Sequence, residues 1–275
     1  MPYYLNNEGF KLYYEEFNPQ STNYTIILIH GFASSVSFFK EQIKVLKDNY
    51  RVICFDALGH GKSDHPVDLN LKENIRHEII KDLEDLLKFL NISGPIGIIG
   101  HSLVGGMIAQ LICKNHPEDI KFLVLLNSGY INTDNVIRNI FYNLLPYMVR
   151  MNFLDAVVNS VDRILDKTIP FIVQALTNNL YKIKMTKEEL YMNIEDQIFN
   201  MINEIKEYNP SFVKCPTLII GGRLDNYAPI QMSEELHNKI PNSILEVIDM
   251  AGHFGPTQRK ELYNKIICNF IKNLK

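Results

Sequence analysis

The chain alternates short apolar runs with segments of helical periodicity, and this alternation restricts its fold more than any other feature. The apolar runs are TIILIH (25–30), RVICFD (51–56), IGIIG (96–100), FLVLLNS (122–128), TLIIGG (217–222) and SILEVID (243–249). Most of them lack the apolar–polar alternation of a half-buried strand, as is typical of parallel strands covered on both faces. The pattern therefore predicts an α/β fold with right-handed crossovers around a mostly parallel sheet.

Two other segments extend this prediction. The opening residues, in which NNEG separates two aromatic stretches, indicate an antiparallel hairpin at the sheet edge. The stretch 71–90 is predicted to be an amphipathic helix. Its apolar residues fall on one helical face and are Ile75, Ile79, Ile80, Leu83, Leu86, Leu87 and Leu90.

The alternation is interrupted once, between residues 130 and 209. These residues contain no convincing strand, are too many for a plain loop, and include helical segments rich in Phe, Tyr, Met and Leu. We predict a helical cap at 130–209, inserted into a core made of residues 1–129 and 210–275. The alternative is that these helices pack on the sheet as part of a single core.

Charge and hydropathy exclude several kinds of partner. The chain has 28 Lys and Arg against 31 Asp and Glu, with a formal net charge of −3 and no long run of one sign. We therefore expect no nucleic acid or anionic membrane partner. No apolar run approaches the roughly 18 residues of a membrane span, and the N-terminal segment does not resemble a signal peptide. The sequence leaves the oligomeric state open.

The four cysteines are scattered through the chain, without a C-x-x-C pair. This distribution favours reduced core residues over a disulfide framework or a zinc site. We therefore expect a cytoplasmic protein that needs no metal and no cofactor.

The segment IIGHSLVGGMIAQ (98–110) places Ser102 between a predicted strand and a predicted helix. This is the setting of a nucleophile elbow, a sharp turn that exposes a serine hydroxyl at the carboxyl end of the sheet. The backbone N–H groups at the start of the helix would favour a developing negative charge. The alternative, a serine that merely caps the helix, leaves the surrounding glycines unexplained.

A serine nucleophile needs a base that is held by an acid. His253, in DMAGHFG, is the only histidine at a late strand end, and Asp225, in LIIGGRLDNYAP, follows the strand before it. The order Ser102, Asp225, His253 is that of one class of hydrolases. Asp249 is the rival acid, although it is too close in sequence to His253 for easy convergence.

The segment ILIHGFASS supplies the remaining chemistry. His30 and Gly31 end a strand, so the backbone N–H of Phe32 can point back toward Ser102. Together with the backbone N–H of Leu103 it would form a two-donor oxyanion hole.

Five pieces in this order resemble the α/β-hydrolase fold family: HGF, DALGHGKSDHP, GHSLVGGMIAQ, CPTLIIGGRLD and AGHF. They cover nearly the whole chain outside the predicted cap. The resemblance implies an eight-stranded, mostly parallel sheet flanked by helices, with the cap after the sixth strand. Serine at the nucleophile position implies esterases, lipases, lactonases, carbon–carbon bond hydrolases or cofactor-free perhydrolases rather than haloalkane dehalogenases or epoxide hydrolases.

These features predict a serine hydrolase that cleaves small-to-medium, mainly apolar carboxylic esters through an acyl-enzyme. Its expected partner is a small-molecule ester. Acyl transfer, lactone hydrolysis and carbon–carbon bond hydrolysis on the same triad are alternatives, and so is a ligand receptor of this fold with slow turnover. The motifs do not specify the acyl group, the leaving group or the physiological role.

The elbow departs from the family pattern at one position. Relatives commonly read G-H-S-x-G-G-M-I-A-Q, whereas this chain has Val104 at the second glycine and Gly105 one residue later. We predict an inserted residue, absorbed as a bulge between Leu103 and Met107, with Gly105 taking over the close-packing role. The alternative is a plain substitution of glycine by Val104.

Four further polar residues match family positions beside the site. For these residues, packing and turn geometry are the expected roles. They are His30, His60, Ser63 and His101.

Overall fold

The computed structural model describes residues 2–31, 34–64, 75–92, 94–129 and 209–274. In these ranges eight strands form one sheet. They are Tyr3–Leu5 (β1), Lys11–Phe17 (β2), Thr25–Ile29 (β3), Arg51–Phe55 (β4), Ile96–His101 (β5), Ile120–Leu126 (β6), Thr217–Gly222 (β7) and Ser243–Ile248 (β8). The predicted cap, 130–209, lies outside the described residues except for Asn209, so its boundaries stay a prediction.

The strand order is β1-β2-β4-β3-β5-β6-β7-β8. The pairs β1–β2 and β2–β4 are antiparallel, and every other neighbouring pair is parallel. This arrangement confirms the predicted α/β-hydrolase fold, its mostly parallel eight-stranded sheet and the hairpin at one edge.

Helices flank the sheet in the described part of the chain. They are Lys40–Leu46 (α1), Ile75–Phe89 (α2), Ser102–Asn115 (α3), Ile230–Lys239 (α4), Gly255–Gln258 (α5) and Lys260–Lys272 (α6), with 3-10 turns at Val36–Phe39 and Pro210–Phe212. None of the described helices is long and apolar enough to cross a membrane.

The burial of the strands explains why most apolar runs show no alternation. Every residue of β5 and of β7 is buried, because these strands have a neighbour on each side and covered faces. The edge strand β8 is different: exposed and partly buried residues alternate along it, and Ile244 is 53% exposed.

The parallel strands bring five loops to one edge of the sheet. Because β3, β5, β6, β7 and β8 run in the same direction, the residues that follow them meet at their carboxyl ends. Gly31, Ser102, Asn127, Asp225 and His253 follow these five strands in that order. The fold therefore gathers residues from distant parts of the chain at one place.

Helix α2 carries a buried carboxyl group, that of Asp82. Asp82 is 6% exposed, and Ile79 and Leu83 beside it on the helix are also buried. Its Oδ1 accepts a hydrogen bond from Asn6 Nδ2 at 2.9 Å, whereas Oδ2 has no partner within the described structure. Burial raises the pKa of the Asp82 carboxyl to about 6. The folded protein therefore keeps a proton here that the unfolded chain releases near pH ~4.

Replacing Asp82 by asparagine is expected to stabilise the protein at neutral pH. Between about pH 4 and 6 the carboxyl group is ionised in the unfolded chain and protonated in the folded protein. The wild-type free energy of unfolding therefore falls as the pH rises through this window. Asparagine does not titrate, so the variant should match wild type near pH ~4 and exceed it by about 1–2 kcal/mol near pH ~7.5. Urea unfolding at the two pH values measures the difference.

The matched control is Asp48→Asn, the same chemical change at an exposed carboxylate. It should alter the free energy of unfolding by less than about 0.5 kcal/mol at either pH. Equal stabilities of Asp82→Asn and wild type near pH ~7.5 would show that burial of Asp82 has no energetic consequence.

Candidate active site

The backbone at Ser102 forms a sharp turn between β5 and α3. Its φ angle is +63°, in the left-handed region that side chains other than glycine rarely adopt. Such a conformation costs on the order of 1–3 kcal/mol and persists only where the surroundings enforce it. Gly31 makes room for the turn, because a Cβ atom there would lie 2.7 Å from Ser102 Cβ. The strand, turn and helix of the predicted elbow are confirmed.

The hydroxyl of Ser102 lies at one end of a chain of hydrogen bonds. His253 Nε2 is 2.9 Å from Ser102 Oγ, and His253 Nδ1 is 2.8 Å from Asp225 Oδ2. An ionised carboxylate can only accept, so Nδ1 carries the proton and Nε2 is free to accept from the serine hydroxyl. The side chain of Asp225 is fully buried and that of His253 is 10% exposed. This is the tautomer that a general base beside a serine nucleophile requires.

The carboxylate of Asp225 is held by more than the histidine. Its Oδ1 accepts the backbone N–H groups of Tyr227 at 2.9 Å and Ala228 at 2.8 Å. Its Oδ2 accepts Asn127 Nδ2 at 3.1 Å besides His253 Nδ1. Four N–H donors therefore fix the position of the carboxylate and satisfy it as an anion.

The rival acid Asp249 lies elsewhere. Its side chain is 76% exposed and forms an ion pair with Arg223, with 2.6 Å between Arg223 Nε and Asp249 Oδ1. The structure thus brings Asp225 rather than Asp249 to His253.

The first turn of α3 corrects the predicted bulge. The helix is continuous from Ser102 to Asn115, so the bulge expected between Leu103 and Met107 is wrong. In this regular helix it is position 105 that requires a glycine, because a Cβ atom there would lie 2.5 Å from the carbonyl oxygen of Ile29. Gly105 thus provides the close approach of the helix to β3, as predicted. The side chain of Val104 is only partly buried, so valine fits there in a regular helix.

The two histidines that precede the glycine turn and the elbow serine are buried. His30 Nδ1 donates to the carbonyl oxygen of Gly31 at 2.7 Å, and His30 Nε2 accepts the backbone N–H of Ala57 at 3.1 Å. Burial lowers the pKa of His30 to about 4, so its ring is neutral at pH ~7. These contacts agree with the structural role expected of His30.

His101 contacts the histidine loop, which we define as residues 249–254, between β8 and α5. Its Nε2 donates to the carbonyl oxygen of His253 at 3.0 Å, and its ring stacks on Phe38 with 3.9 Å between centroids. Burial lowers the pKa of His101 well below the ordinary histidine value, so it is neutral as well. Of the two other family-position residues, His60 is buried, and Ser63 Oγ donates to the carbonyl oxygen of Asp56 at 2.5 Å.

The predicted oxyanion donors are described only in part. Leu103 is the second residue of α3, where backbone N–H groups have no partner within the helix. Phe32 lies outside the described residues. No set of three or more His, Cys, Asp or Glu side chains in the described ranges is arranged to hold a metal ion.

Sequence analysis missed Asn127 at this site. It was counted as a residue of the fourth apolar run, but β6 ends at Leu126 and Asn127 begins the loop. Its Nδ2 contacts Asp225 Oδ2 and the carbonyl oxygen of Gly252. The available signal was a lone amide directly after an apolar run, at the sheet edge where the other site residues were expected.

Comparison with known proteins finds hydrolases among those to which the chain is similar. The family model of the alpha/beta hydrolase fold matches residues 24–258. YugF, an uncharacterized hydrolase of Bacillus subtilis (strain 168), is 27% identical over 272 residues, which cover 96% of each chain. The 2-hydroxy-6-oxo-6-(2'-aminophenyl)hexa-2,4-dienoic acid hydrolase of Metapseudomonas resinovorans is 26% identical, covering 90% of this chain and 83% of its own. A solved esterase from Exiguobacterium antarcticum superposes with a TM-score of 0.76 at 18% identity, covering 98% of this chain and 99% of its own.

Proposed function

The chain belongs to the alpha/beta hydrolase fold family, and we propose that it is a serine hydrolase of small-to-medium, mainly apolar carboxylic esters. The observation that carries the proposal is the hydrogen-bonded chain from Ser102 Oγ through His253 to Asp225. A serine that is bonded to a neutral imidazole, itself oriented by a buried carboxylate, is the arrangement that activates a hydroxyl for acyl transfer.

In this mechanism Ser102 Oγ attacks the carbonyl carbon of the ester while His253 Nε2 takes the hydroxyl proton. The resulting imidazolium is stabilised by Asp225, and its proton passes to the alcohol as that product leaves. Water then attacks the acyl-enzyme with His253 again acting as base, and the acid departs from Ser102. The backbone N–H groups of Phe32 and Leu103 are the proposed donors to the oxyanion in both steps.

The apolar preference is supported by side chains on the loops that follow β7 and β8. Leu224, Tyr227 and Met250 are 55%, 65% and 64% exposed. The ring of Tyr227 lies 5.2 Å from that of His253, centroid to centroid. The ring of Tyr227 thus lies beside the reacting groups, and aromatic surface there favours an apolar substrate, because its burial contributes roughly 25 cal/mol per Å².

A panel of p-nitrophenyl esters from acetate to octanoate tests this proposal. We expect kcat/KM to rise with acyl length, by up to about fourfold for each methylene that fits, and then to fall when the pocket ends. Neutral acyl groups should exceed charged ones of equal length. The Ser102→Ala variant, assayed in parallel, measures hydrolysis that does not pass through the site.

Two outcomes of this panel would contradict the apolar preference. One is a flat profile from acetate to octanoate. The other is a clear preference for an acyl group that carries a carboxylate.

The second candidate is hydrolysis of an acidic substrate. It is favoured by the 26% identity to a hydrolase whose name specifies a 2-hydroxy-6-oxo dienoic acid. Turnover of such an acid at a kcat/KM above that of every neutral ester in the panel would replace the ester proposal by this one.

A further inference from the structure

The side chain of Asn127 contacts three parts of the fold: the acid loop (residues 223–229, between β7 and α4), the histidine loop and helix α6. Its Nδ2 donates to Asp225 Oδ2 at 3.1 Å and to the carbonyl oxygen of Gly252 at 3.0 Å. Its Oδ1 accepts the hydroxyl of Tyr263 at 2.8 Å. Asn127 and Tyr263 are both fully buried. Every polar atom of this amide is therefore used.

The chemistry of its neighbours dictates which way the amide faces. If the amide were rotated by half a turn, its oxygen would lie against Asp225 Oδ2 and the carbonyl oxygen of Gly252, and neither of these can donate. Tyr263 is compatible with the observed orientation, because burial raises the pKa of its hydroxyl, which stays protonated and can donate to Asn127 Oδ1. The two N–H bonds of Asn127 are thus aimed at the triad.

The backbone around this amide is built to admit it. Asn127 has a φ angle of +48°, a left-handed conformation that asparagine tolerates better than most residues. A Cβ atom at Gly222 would lie 3.0 Å from Asn127 Nδ2 and 2.4 Å from the carbonyl oxygen of Ala251. A larger residue at the end of β7 would therefore displace the amide or the histidine loop.

We propose that Asn127, oriented by Tyr263, is a positioning residue of the Ser102–His253–Asp225 triad. It donates to the same carboxylate oxygen that accepts His253 Nδ1–H, and it fixes the residue directly before His253. Asn127 thereby fixes the position of Asp225 relative to His253. Its N–H group also partly neutralises the negative charge with which Asp225 stabilises the imidazolium. The inference rests on the proposed serine hydrolase function and assigns Asn127 no contact with substrate.

Loss of this donor has a predictable effect on the pH dependence of the reaction at Ser102. With one hydrogen bond fewer, Asp225 attracts the imidazolium more strongly, so the acid limb of the pH–rate profile moves to higher pH. Within the described residues, the other groups that face the His253 ring are Ser102, His101, Tyr227 and Phe254. Burial lowers the pKa of His101 well below the ordinary histidine value, so its ring is neutral near pH ~7.

The test is the rate at which a fluorophosphonate probe reacts with Ser102, measured from about pH 5 to 9. The reaction bonds phosphorus to Oγ and expels fluoride, and His253 accepts the hydroxyl proton, so no natural substrate is required. The variants are Asn127→Ala and Tyr263→Phe. The matched control is Ser233→Ala. It removes a buried hydrogen bond of 3.0 Å to the carbonyl oxygen of Ser128, the neighbour of Asn127 in the loop after β6. Thermal unfolding of all four proteins reports stability separately.

We expect Asn127→Ala to lower the plateau rate about tenfold and to raise the midpoint of the acid limb by about half a pH unit. Tyr263→Phe should change the plateau rate and the midpoint in the same directions but by less. If Asn127→Ala does not fold, Tyr263→Phe tests the inference in its place. Ser233→Ala should lower the unfolding temperature and leave the rate profile as in wild type.

Three results would overturn the inference, and they are distinguishable. Folded variants with the wild-type plateau and midpoint would make Asn127 merely structural, and so would an equal change in Ser233→Ala. A wild-type protein that is not labelled at Ser102 at any pH would overturn the proposed function, and the inference with it.

Discussion

Alanine in place of Ser102 or of His253 is expected to lower the kcat for ester hydrolysis on the order of 10⁴- to 10⁶-fold. Without Ser102 no acyl-enzyme can form. Without His253 the hydroxyl has no acceptor for its proton at the 2.9 Å that separates the two groups. Because the two residues act on one proton, the double variant should be about as slow as either single variant rather than slower by the product of both effects. Steady-state kinetics on the best ester of the panel measures all three.

The Ser102 and His253 variants need proof of an intact fold, since Ser102 occupies a strained backbone position. Unfolding temperatures close to wild type would provide it. Full activity in either folded variant would refute the assignment of the nucleophile or of the base.

Asparagine in place of Asp225 is expected to lower kcat by ~10³–10⁴-fold. The carboxylate accepts four N–H donors, two at each oxygen, whereas an amide can accept at only one. If the amide oxygen faces Tyr227 and Ala228, its NH₂ group faces His253 Nδ1 and forces the proton onto Nε2. In that tautomer Nε2 cannot accept from Ser102.

The matched control for Asp225→Asn is Asp249→Asn, the same substitution at the rival position. Asp249 is exposed and paired with Arg223, so its variant should keep wild-type kcat and KM. Loss of activity in Asp249→Asn, or its retention in Asp225→Asn, would reverse the assignment of the acid. The pair of variants therefore separates the two carboxylates by function as the structure separates them in space.

The sheet could be predicted from the sequence because its strands are buried. A strand covered on both faces, such as β5 or β7, needs apolar residues at every position, and this leaves an unmistakable run. The same physics predicted where the candidate site lies. Parallel strands end at one edge of the sheet, so the sequence alone predicts that Ser102, Asp225 and His253 lie close together.

The first turn of α3 could not be predicted in the same way. The sequence shows Val104 and then two glycines, but it does not show which face of the helix approaches β3. In the structure, the face that approaches β3 carries Gly105, which lies close to the carbonyl oxygen of Ile29. A regular helix therefore accommodates the valine, where counting residues against relatives had suggested a bulge.

Asn127 was missed for a related reason. Its importance depends on side-chain direction and on a partner 136 residues away, the hydroxyl of Tyr263. A single sequence indicates neither of these, because strand periodicity specifies which residues are buried and not which polar groups meet at the strand ends.

The most direct test of the central claim is mass spectrometry of the protein after reaction with a fluorophosphonate. The account predicts one adduct per chain, located on the peptide that contains Ser102, with no adduct in Ser102→Ala and far slower labelling in His253→Ala. An unlabelled wild-type protein, or an adduct that persists in Ser102→Ala, would contradict it.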